Sequence, residues 1–377
     1  MCCCCPAAVN ALFCLWVQSG FSKGTVAGAL TFFPPDPPLY KFQRRDKEGN
    51  NLPDFVDDED EEEDKKDKKS GENDDAGVED GTFKPKEGEA KEEMQSPAKQ
   101  LTEKSKELRK RAKKRNARDK KDAEDGVEYK LVLDSRLQPP KFKGGKIEAV
   151  KIPTKSGSYC AAIVYRCPKK VRSDRTKTLV FSHGNATDIG AMFPLQAILC
   201  NSLNCNVVSY DYSGYGESGG MPLEKNTYTD IAGVVKWTIE EVCDGDESKV
   251  ILYGQSVGSG PSCHLGMKTE GLGGMVLHSP FMSGMRVLTP SRILGCLDIF
   301  PNIDRISKAK CPVMLIHGKL DQEVPIAHGE ALHNAVPDHL KRTPWWVPDR
   351  GHNDITEGRG KLAEYLAKLR EFLETLD

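Results

Sequence analysis

Lys249-Val250-Ile251-Leu252-Tyr253-Gly254-Gln255-Ser256-Val257-Gly258-Ser259-Gly260-Pro261 is the stretch on which the reading of this chain turns. Its first five residues form a short apolar run rich in β-branched and aromatic side chains, the signature of a buried strand. Gly254-Gln255-Ser256-Val257-Gly258 then matches G-x-S-x-G, and Gly258-Ser259-Gly260-Pro261 can begin a helix. Strand, sharp turn and helix are the setting in which that pentapeptide lifts a serine hydroxyl above a sheet. The flanking glycines have a steric reason: the turn is too tight for side chains beside the serine. Outside such a setting the same five residues are a glycine-rich turn with an incidental serine.

The surrounding sequence supplies the setting. Lys146–Thr154 and Tyr159–Arg166 read as an antiparallel pair around Ser156-Gly157-Ser158. Further strands are expected at Thr178–His183, Asn206–Tyr212, Gly274–His278, Pro312–His317 and Trp345–Pro348. Helical patterns fall between them, at about 190–203, 223–242, 257–268, 326–335 and 358–376. Strands alternating with helices imply a mostly parallel sheet covered on both faces. With the serine turn at its centre, this predicts an α/β protein of the α/β-hydrolase fold. Between Ser279 and Asn302 there is room only for a short lid, with Met285, Val287, Leu288, Ile293, Leu294, Leu297, Ile299 and Phe300 as its apolar residues or as core.

A serine hydroxyl is a weak nucleophile and needs a base. In this fold the order along the chain is serine, acid, histidine. His352, in Arg350-Gly351-His352-Asn353-Asp354 between the last strand and the last helix, is the expected base. The acid belongs on another strand-end loop. Asp321, just beyond Leu315-Ile316-His317-Gly318, is the candidate and Glu323 the fallback; the plainer reading of Asp321 is a turn or capping aspartate. His278 and His317 end strands, where they could line the site; the more ordinary reading is satisfied core or rim histidines. His328, His333 and His339 are expected at the surface. An oxyanion needs two backbone N–H donors, expected from Val257 and from Asn185 in Ser182-His183-Gly184-Asn185-Ala186.

Composition divides the chain into three parts. Residues 1–42 are apolar and cysteine-rich, ending in Phe33-Pro34-Pro35-Asp36-Pro37-Pro38. Residues 43–126 are dominated by charge, acidic from Asp57 to Asp64 and basic from Lys104 to Lys121. Few apolar side chains lie in that insert, so it is expected to be disordered, with at most a frayed helix near 98–122. Residues 127–377 hold the catalytic domain. The net charge of −2 advertises no polyanionic partner, and no aromatic residue interleaves the basic run, so nucleic acid is not expected. The apolar stretch from Ala7 to Val17 is about half of what a membrane-spanning helix needs.

Five of the 13 cysteines, Cys2, Cys3, Cys4, Cys5 and Cys14, crowd the N-terminus. Four contiguous cysteines lack the spacing that wraps a chain around zinc. Disulfides are disfavoured in a reducing compartment, where the absence of a secretory signal in the sequence places the expectation. S-acylation is the remaining reading. One acyl chain binds a membrane only marginally, and a cluster offers the two or more that stable anchoring needs.

Several blocks resemble the abhydrolase-domain protein depalmitoylases. They are Phe181-Ser182-His183-Gly184-Asn185-Ala186-Thr187-Asp188-Ile189-Gly190, Asp211-Tyr212-Ser213-Gly214-Tyr215-Gly216-Glu217-Ser218, Leu252 to Pro261, Leu277-His278-Ser279-Pro280, Asn302-Ile303-Asp304-Arg305-Ile306 and Gly351-His352-Asn353-Asp354. The N-terminal cysteines and Phe32-Phe33-Pro34-Pro35 extend the likeness; the charged insert departs from it. The resemblance implies hydrolysis of palmitoyl thioesters on cysteines of S-palmitoylated membrane proteins, without metal or organic cofactor. It also implies a lipid-anchored, peripheral position on the cytoplasmic face of the plasma membrane or of endosomes. A lipase or carboxylesterase acting on small lipid esters, or a membrane-tethered scaffold without activity, would share much of this sequence.

Overall fold

A computed structural model describes residues 31–53, 97–137, 140–142, 144–288 and 298–376. Cys2, Cys3, Cys4, Cys5 and Cys14 lie outside the described residues, as do 54–96 of the charged insert and 289–297 of the lid. The strands are β1 (Tyr40–Arg45), β2 (Glu128–Leu133), β3 (Lys146–Pro153), β4 (Tyr159–Arg166), β5 (Thr178–Ser182), β6 (Asn206–Tyr210), β7 (Val250–Gln255), β8 (Gly274–His278), β9 (Val313–Gly318) and β10 (Trp345–Val347). They form one sheet in the order β1-β2-β3-β4-β6-β5-β7-β8-β9-β10. From β6 to β10 every pairing is parallel. From β1 to the β4–β6 pair every pairing is antiparallel. This is the α/β-hydrolase fold.

The helices are α1 (Pro97–Asp125), α2 (Phe193–Leu203), α3 (Glu224–Glu241), α4 (Ser259–Gly266), α5 (Gly284–Leu288), α6 (Asn302–Ile306), α7 (Ile326–Ala335) and α8 (Lys361–Glu374). Strand side chains point to opposite faces in turn, and the two cores follow that period. On β7, Val250 and Leu252 join Ile231 and Val234 of α3, Cys263 of α4 and Leu332 of α7. Ile251 and Tyr253 join Phe193 and Ala197 of α2 with Tyr365, Leu369 and Phe372 of α8. Because the parallel strands are covered on both sides, they are apolar at nearly every position.

The chain passes from β5 to β6 on one side and then crosses to β7 on the other. Loops leaving the C-terminal ends of β5 and β7 therefore diverge around a crevice, the place where open α/β sheets bind ligands. Ser256 sits at that point.

Within the described parts of the charged insert, 43–53 and 97–126, the structure shows order where disorder with at most a frayed helix near 98–122 was expected. β1 crosses the boundary drawn at residue 42, and 97–125 form α1, tied to the antiparallel edge. Asp119 and Asp122 are buried. Lys151 Nζ of β3 lies 3.1 Å from Asp119, Arg44 Nε of β1 donates to Asp122 over 2.9 Å, and the Tyr129 hydroxyl of β2 donates to Asp122 over 3.1 Å. Arg115 Nη1 donates to the Gly216 and Ser218 carbonyls at 2.7 and 2.9 Å, and the Gly220 N–H donates to Asn116. A composition average counts charges without seeing their partners. Here acidic and basic side chains meet across the helix–sheet interface, so charge supplies what apolar area does not.

Cys160, Cys167, Cys200, Cys205, Cys243, Cys263 and Cys311 are free and buried. They pack as small hydrophobes, and burial pushes the Cys263 and Cys311 thiols up to about 12. Ile299 and Phe300 belong to the core and Val287 packs against it, so these are not freely exposed lid residues. Among the described residues no helix is long and apolar enough to cross a membrane.

Candidate functional site

β7 runs straight into Ser256, whose φ of 49° lies in the left-handed region. A non-glycine residue held there is strained and needs surrounding structure to keep it in place. That structure is the close packing of the turn. A Cβ on Gly254 would stand 2.5 Å from the Gly258 carbonyl oxygen, and one on Gly258 would stand 2.1 Å from that of Ser182. Both distances are inside any real carbon–oxygen contact, so both positions require glycine. α4 follows, with Ser259 Oγ donating to the Ser256 carbonyl over 2.6 Å.

Two residues from two other strand-end loops line up behind the serine hydroxyl. His352 Nε2 lies 2.9 Å from Ser256 Oγ. His352 Nδ1 lies 2.7 Å from Asp321 Oδ2. Asp321 and His352 are buried, and Ser256 is partly open to solvent. Asp321 Oδ1 accepts from the backbone N–H groups of Glu323 and Val324 at 3.0 and 2.7 Å. Glu323, the alternative acid, instead accepts from Asn353 Nδ2 at the surface. The carboxylate is therefore held by three donors, the His352 Nδ1–H and two backbone N–H groups. Burial pushes its pKa up, but hydrogen bonds from His317, His352 and the Val324 N–H outweigh that and hold it well below the usual range. An ionised Asp321 accepts from Nδ1–H, which leaves Nε2 as the lone pair facing Ser256. The arrangement can take a proton from the serine and stabilise the resulting imidazolium.

His317 was expected as an ordinary core or rim histidine, and it is fully buried. Its Nε2 lies 2.7 Å from the Val324 carbonyl oxygen and 3.2 Å from Asp321 Oδ2. It braces the acid's loop and its carboxylate together. The i to i+4 spacing of His317 and Asp321 was visible, but only the fold shows that the strand end turns the ring back onto the carboxylate. His278 lies in a separate buried chain, with Nδ1 2.8 Å from the Tyr253 hydroxyl, itself 2.7 Å from that of Tyr365. Burial, reinforced by the nearby His352 and His317, lowers its pKa to about 3. It is neutral at working pH. His328, expected at the surface, is buried, with Nδ1 accepting from the Met282 N–H. The helix α7 turns it toward the residues that precede α5, a tertiary contact without local signal. His339 is exposed as expected.

The loop after β5 lies beside the serine. A Cβ on Gly184 would meet Ser256 Cβ at 3.8 Å, so its absence leaves space next to the hydroxyl. Ala186 has a φ of 53° and turns the loop. Asn185 follows Gly184 in this loop, and Val257 follows Ser256 within the turn itself. The Asn185 side chain is bound to the N-terminal segment and to Tyr215: Oδ1 accepts from the Phe33 N–H at 3.1 Å and the Tyr215 hydroxyl at 2.8 Å, and Nδ2 donates to the Thr31 carbonyl at 2.6 Å. These contacts had no signal in the sequence.

Comparison with known proteins gives a consistent result. Residues 173–303 match the family described as serine aminopeptidase, S33. The alpha/beta hydrolase domain-containing protein 17C of Xenopus laevis is 41% identical over 229 residues, covering 60% of this chain and 70% of its own. The human alpha/beta hydrolase domain-containing protein 17B is 39% identical over 254 residues, covering 66% of this chain and 84% of its own. Among solved structures, an esterase of Pyrococcus furiosus is similar with a TM-score of 0.50 and 18% identity over 63% of this chain and 99% of its own; that likeness shows the fold alone.

Proposed function

Since this chain belongs to the alpha/beta hydrolase domain-containing protein 17 family and is a hydrolase, we propose that it is a serine hydrolase that removes palmitoyl groups from S-acylated cysteines of membrane proteins. The observation that carries this reading is the continuous chain from Ser256 Oγ through His352 to Asp321. The resemblance to depalmitoylases supplies the substrate class. The cysteines at 2–5 and 14 support a lipid-anchored position, on the cytoplasmic face of the plasma or endosomal membrane, where acylated proteins are at hand.

The reaction runs in two halves. His352 Nε2 takes the proton as Ser256 Oγ bonds to the acyl carbonyl carbon. The backbone N–H groups of Val257 and Asn185 receive the negative oxygen. The carbon–sulfur bond then breaks, and the proton on His352 passes to the leaving cysteine thiolate. Water bonds to the acyl carbon, giving a proton to His352, which returns it to Ser256 Oγ as the fatty acid departs. No step calls on a metal or an organic cofactor.

Release of palmitate from an S-palmitoylated peptide and from monopalmitoylglycerol, by wild type and by Ser256→Ala, tests the reading. Preferential cleavage of the thioester, abolished in Ser256→Ala, is the expected result. Preference for the glycerol ester moves the substrate to lipids. Failure on both, with no labelling of Ser256 by a fluorophosphonate, overturns the assignment in favour of a tethered scaffold. For the anchor, alkyne-palmitate labelling should disappear when Cys2, Cys3, Cys4, Cys5 and Cys14 are replaced by serine; undiminished labelling refutes it.

A further inference from the structure

The segment running from Thr31 into β1 lies along the loop that flanks Ser256, and it is bound there at four places. At the first, the Asn185 carboxamide bridges the Thr31 carbonyl and the Phe33 N–H. At the second, the Phe33 N–H also lies 3.1 Å from the Tyr215 hydroxyl, which donates in turn to Asn185 Oδ1. At the third, the Leu39 N–H donates to Asp188 Oδ2 over 2.7 Å, while Asp188 Oδ1 accepts from the Ala191 N–H within the loop itself. At the fourth, the Tyr40 hydroxyl donates to buried Asp211 over 2.6 Å, and Asp211 Oδ1 accepts from the Ile189 N–H. The approach is close: a Cβ on Gly190 would stand 2.9 Å from the Leu39 carbonyl oxygen. Phe32, between the first two contacts, is buried against Tyr215 and Phe300 with ring centroids 6.3 and 6.1 Å away.

These contacts do one thing in common. They hold residues 185–191 from outside the sheet, and they engage both the oxygen and the nitrogen of the Asn185 side chain with the N-terminal segment and Tyr215. We propose that Thr31–Phe33 is a positioning strap of the site: by fixing the Asn185 carboxamide, it sets the direction of the Asn185 backbone N–H toward the acyl oxygen. The proposal rests on the reading of that N–H as an oxyanion donor. It also makes the chain that leads to the N-terminal cysteines part of the site's wall, so the tether and the reacting loop are mechanically joined. Rate in such a site is sensitive to small displacements, with an error of about 1 Å costing on the order of a hundredfold.

Tyr215→Phe and Phe32→Ala test the strap in the full chain, with a p-nitrophenyl acyl ester as reporter substrate so that the result does not depend on thioester preference. Tyr215→Phe removes one hydroxyl and leaves the ring. A donor that stabilises the negative oxygen acts in the transition state, so kcat is expected to fall about tenfold or more with KM little changed. Affinity for a trifluoromethyl ketone, which forms a tetrahedral oxyanion on Ser256, should fall in parallel, while affinity for palmitate and the melting temperature of Tyr215→Phe stay near wild type. Phe32→Ala should show the same split, with some loss of stability. If Phe32→Ala does not fold, Tyr215→Phe alone decides. An unchanged kcat and unchanged ketone affinity in Tyr215→Phe overturn the strap. Absence of thioester cleavage by wild type, with ester cleavage intact, instead overturns the substrate class and leaves the strap standing.

Discussion

Replacing Asp321 by asparagine tests the chemistry of the site with almost no change of shape, and the surroundings of the carboxylate dictate the outcome. Oδ1 accepts from two backbone N–H groups, those of Glu323 and Val324, so an amide NH2 cannot stand there without facing two donors. The asparagine oxygen must take that position, which places the NH2 where Oδ2 faces His352 Nδ1 at 2.7 Å. An N–H aimed at Nδ1 favours the tautomer with the proton on Nε2. That proton then points at Ser256 Oγ, 2.9 Å away, and His352 can no longer accept from the serine. The same substitution in serine proteases lowers kcat about 10⁴-fold, or about 5 kcal/mol at roughly 1.36 kcal/mol per decade. An effect of about 10³ to 10⁴ in kcat is expected here, with the fluorophosphonate labelling rate of Ser256 falling in step and the fold retained. Steady-state hydrolysis of an acyl thioester or ester at pH 7.5 measures it. A variant within tenfold of wild type would refute the reasoning, because the acid would then have no part in setting the tautomer.

His317→Ala should lower kcat about ten- to a hundredfold, the scale of one hydrogen bond to a charged group, and His317→Gln, which can still donate toward Asp321 and Val324, should recover part of it; equal rates in both variants count against the brace. Asp119→Ala leaves the buried Lys151 ammonium beside Arg118 without its carboxylate, and should cost about 3–5 kcal/mol in urea unfolding. The double variant Asp119→Ala/Lys151→Met should recover much of that. Asp230 is buried and its pKa is raised to about 7 by burial, against hydrogen bonds from the Ser213 N–H and hydroxyl. Above about pH 4 the unfolded chain releases this proton while the folded chain keeps it. The group's contribution therefore falls as pH rises from about 4 to about 7 and levels off beyond. The stability of wild type relative to Asp230→Asn should decline through that window, and a flat difference would place the carboxylate's pKa at its ordinary value.

What the sequence determined was local. Lys249–Pro261 carried its own evidence, because a buried strand and a turn that only glycine permits are written in adjacent residues. The order serine, acid, histidine, each on a strand-end loop, then followed from the alternation of strands and helices. The antiparallel pair at 146–166 and the parallel strands from 178 onward were legible for the same reason: apolar runs of strand length have few other uses. Tertiary structure decided whatever depended on partners distant in the chain. α1 reads as solvated charge until Lys151 and Arg44 are placed opposite Asp119 and Asp122. His317 and His328 read as bystanders until a strand end and a helix turn them inward. Tyr40–Arg45 straddles the boundary between the apolar N-terminal part and the charged insert until β2 pairs with it, and the hold of Thr31 and Phe33 on Asn185 spans more than 150 residues. Periodicity and spacing report what a residue does with its neighbours in sequence; ion pairs, braces and straps are made between groups that only the assembled sheet brings within reach.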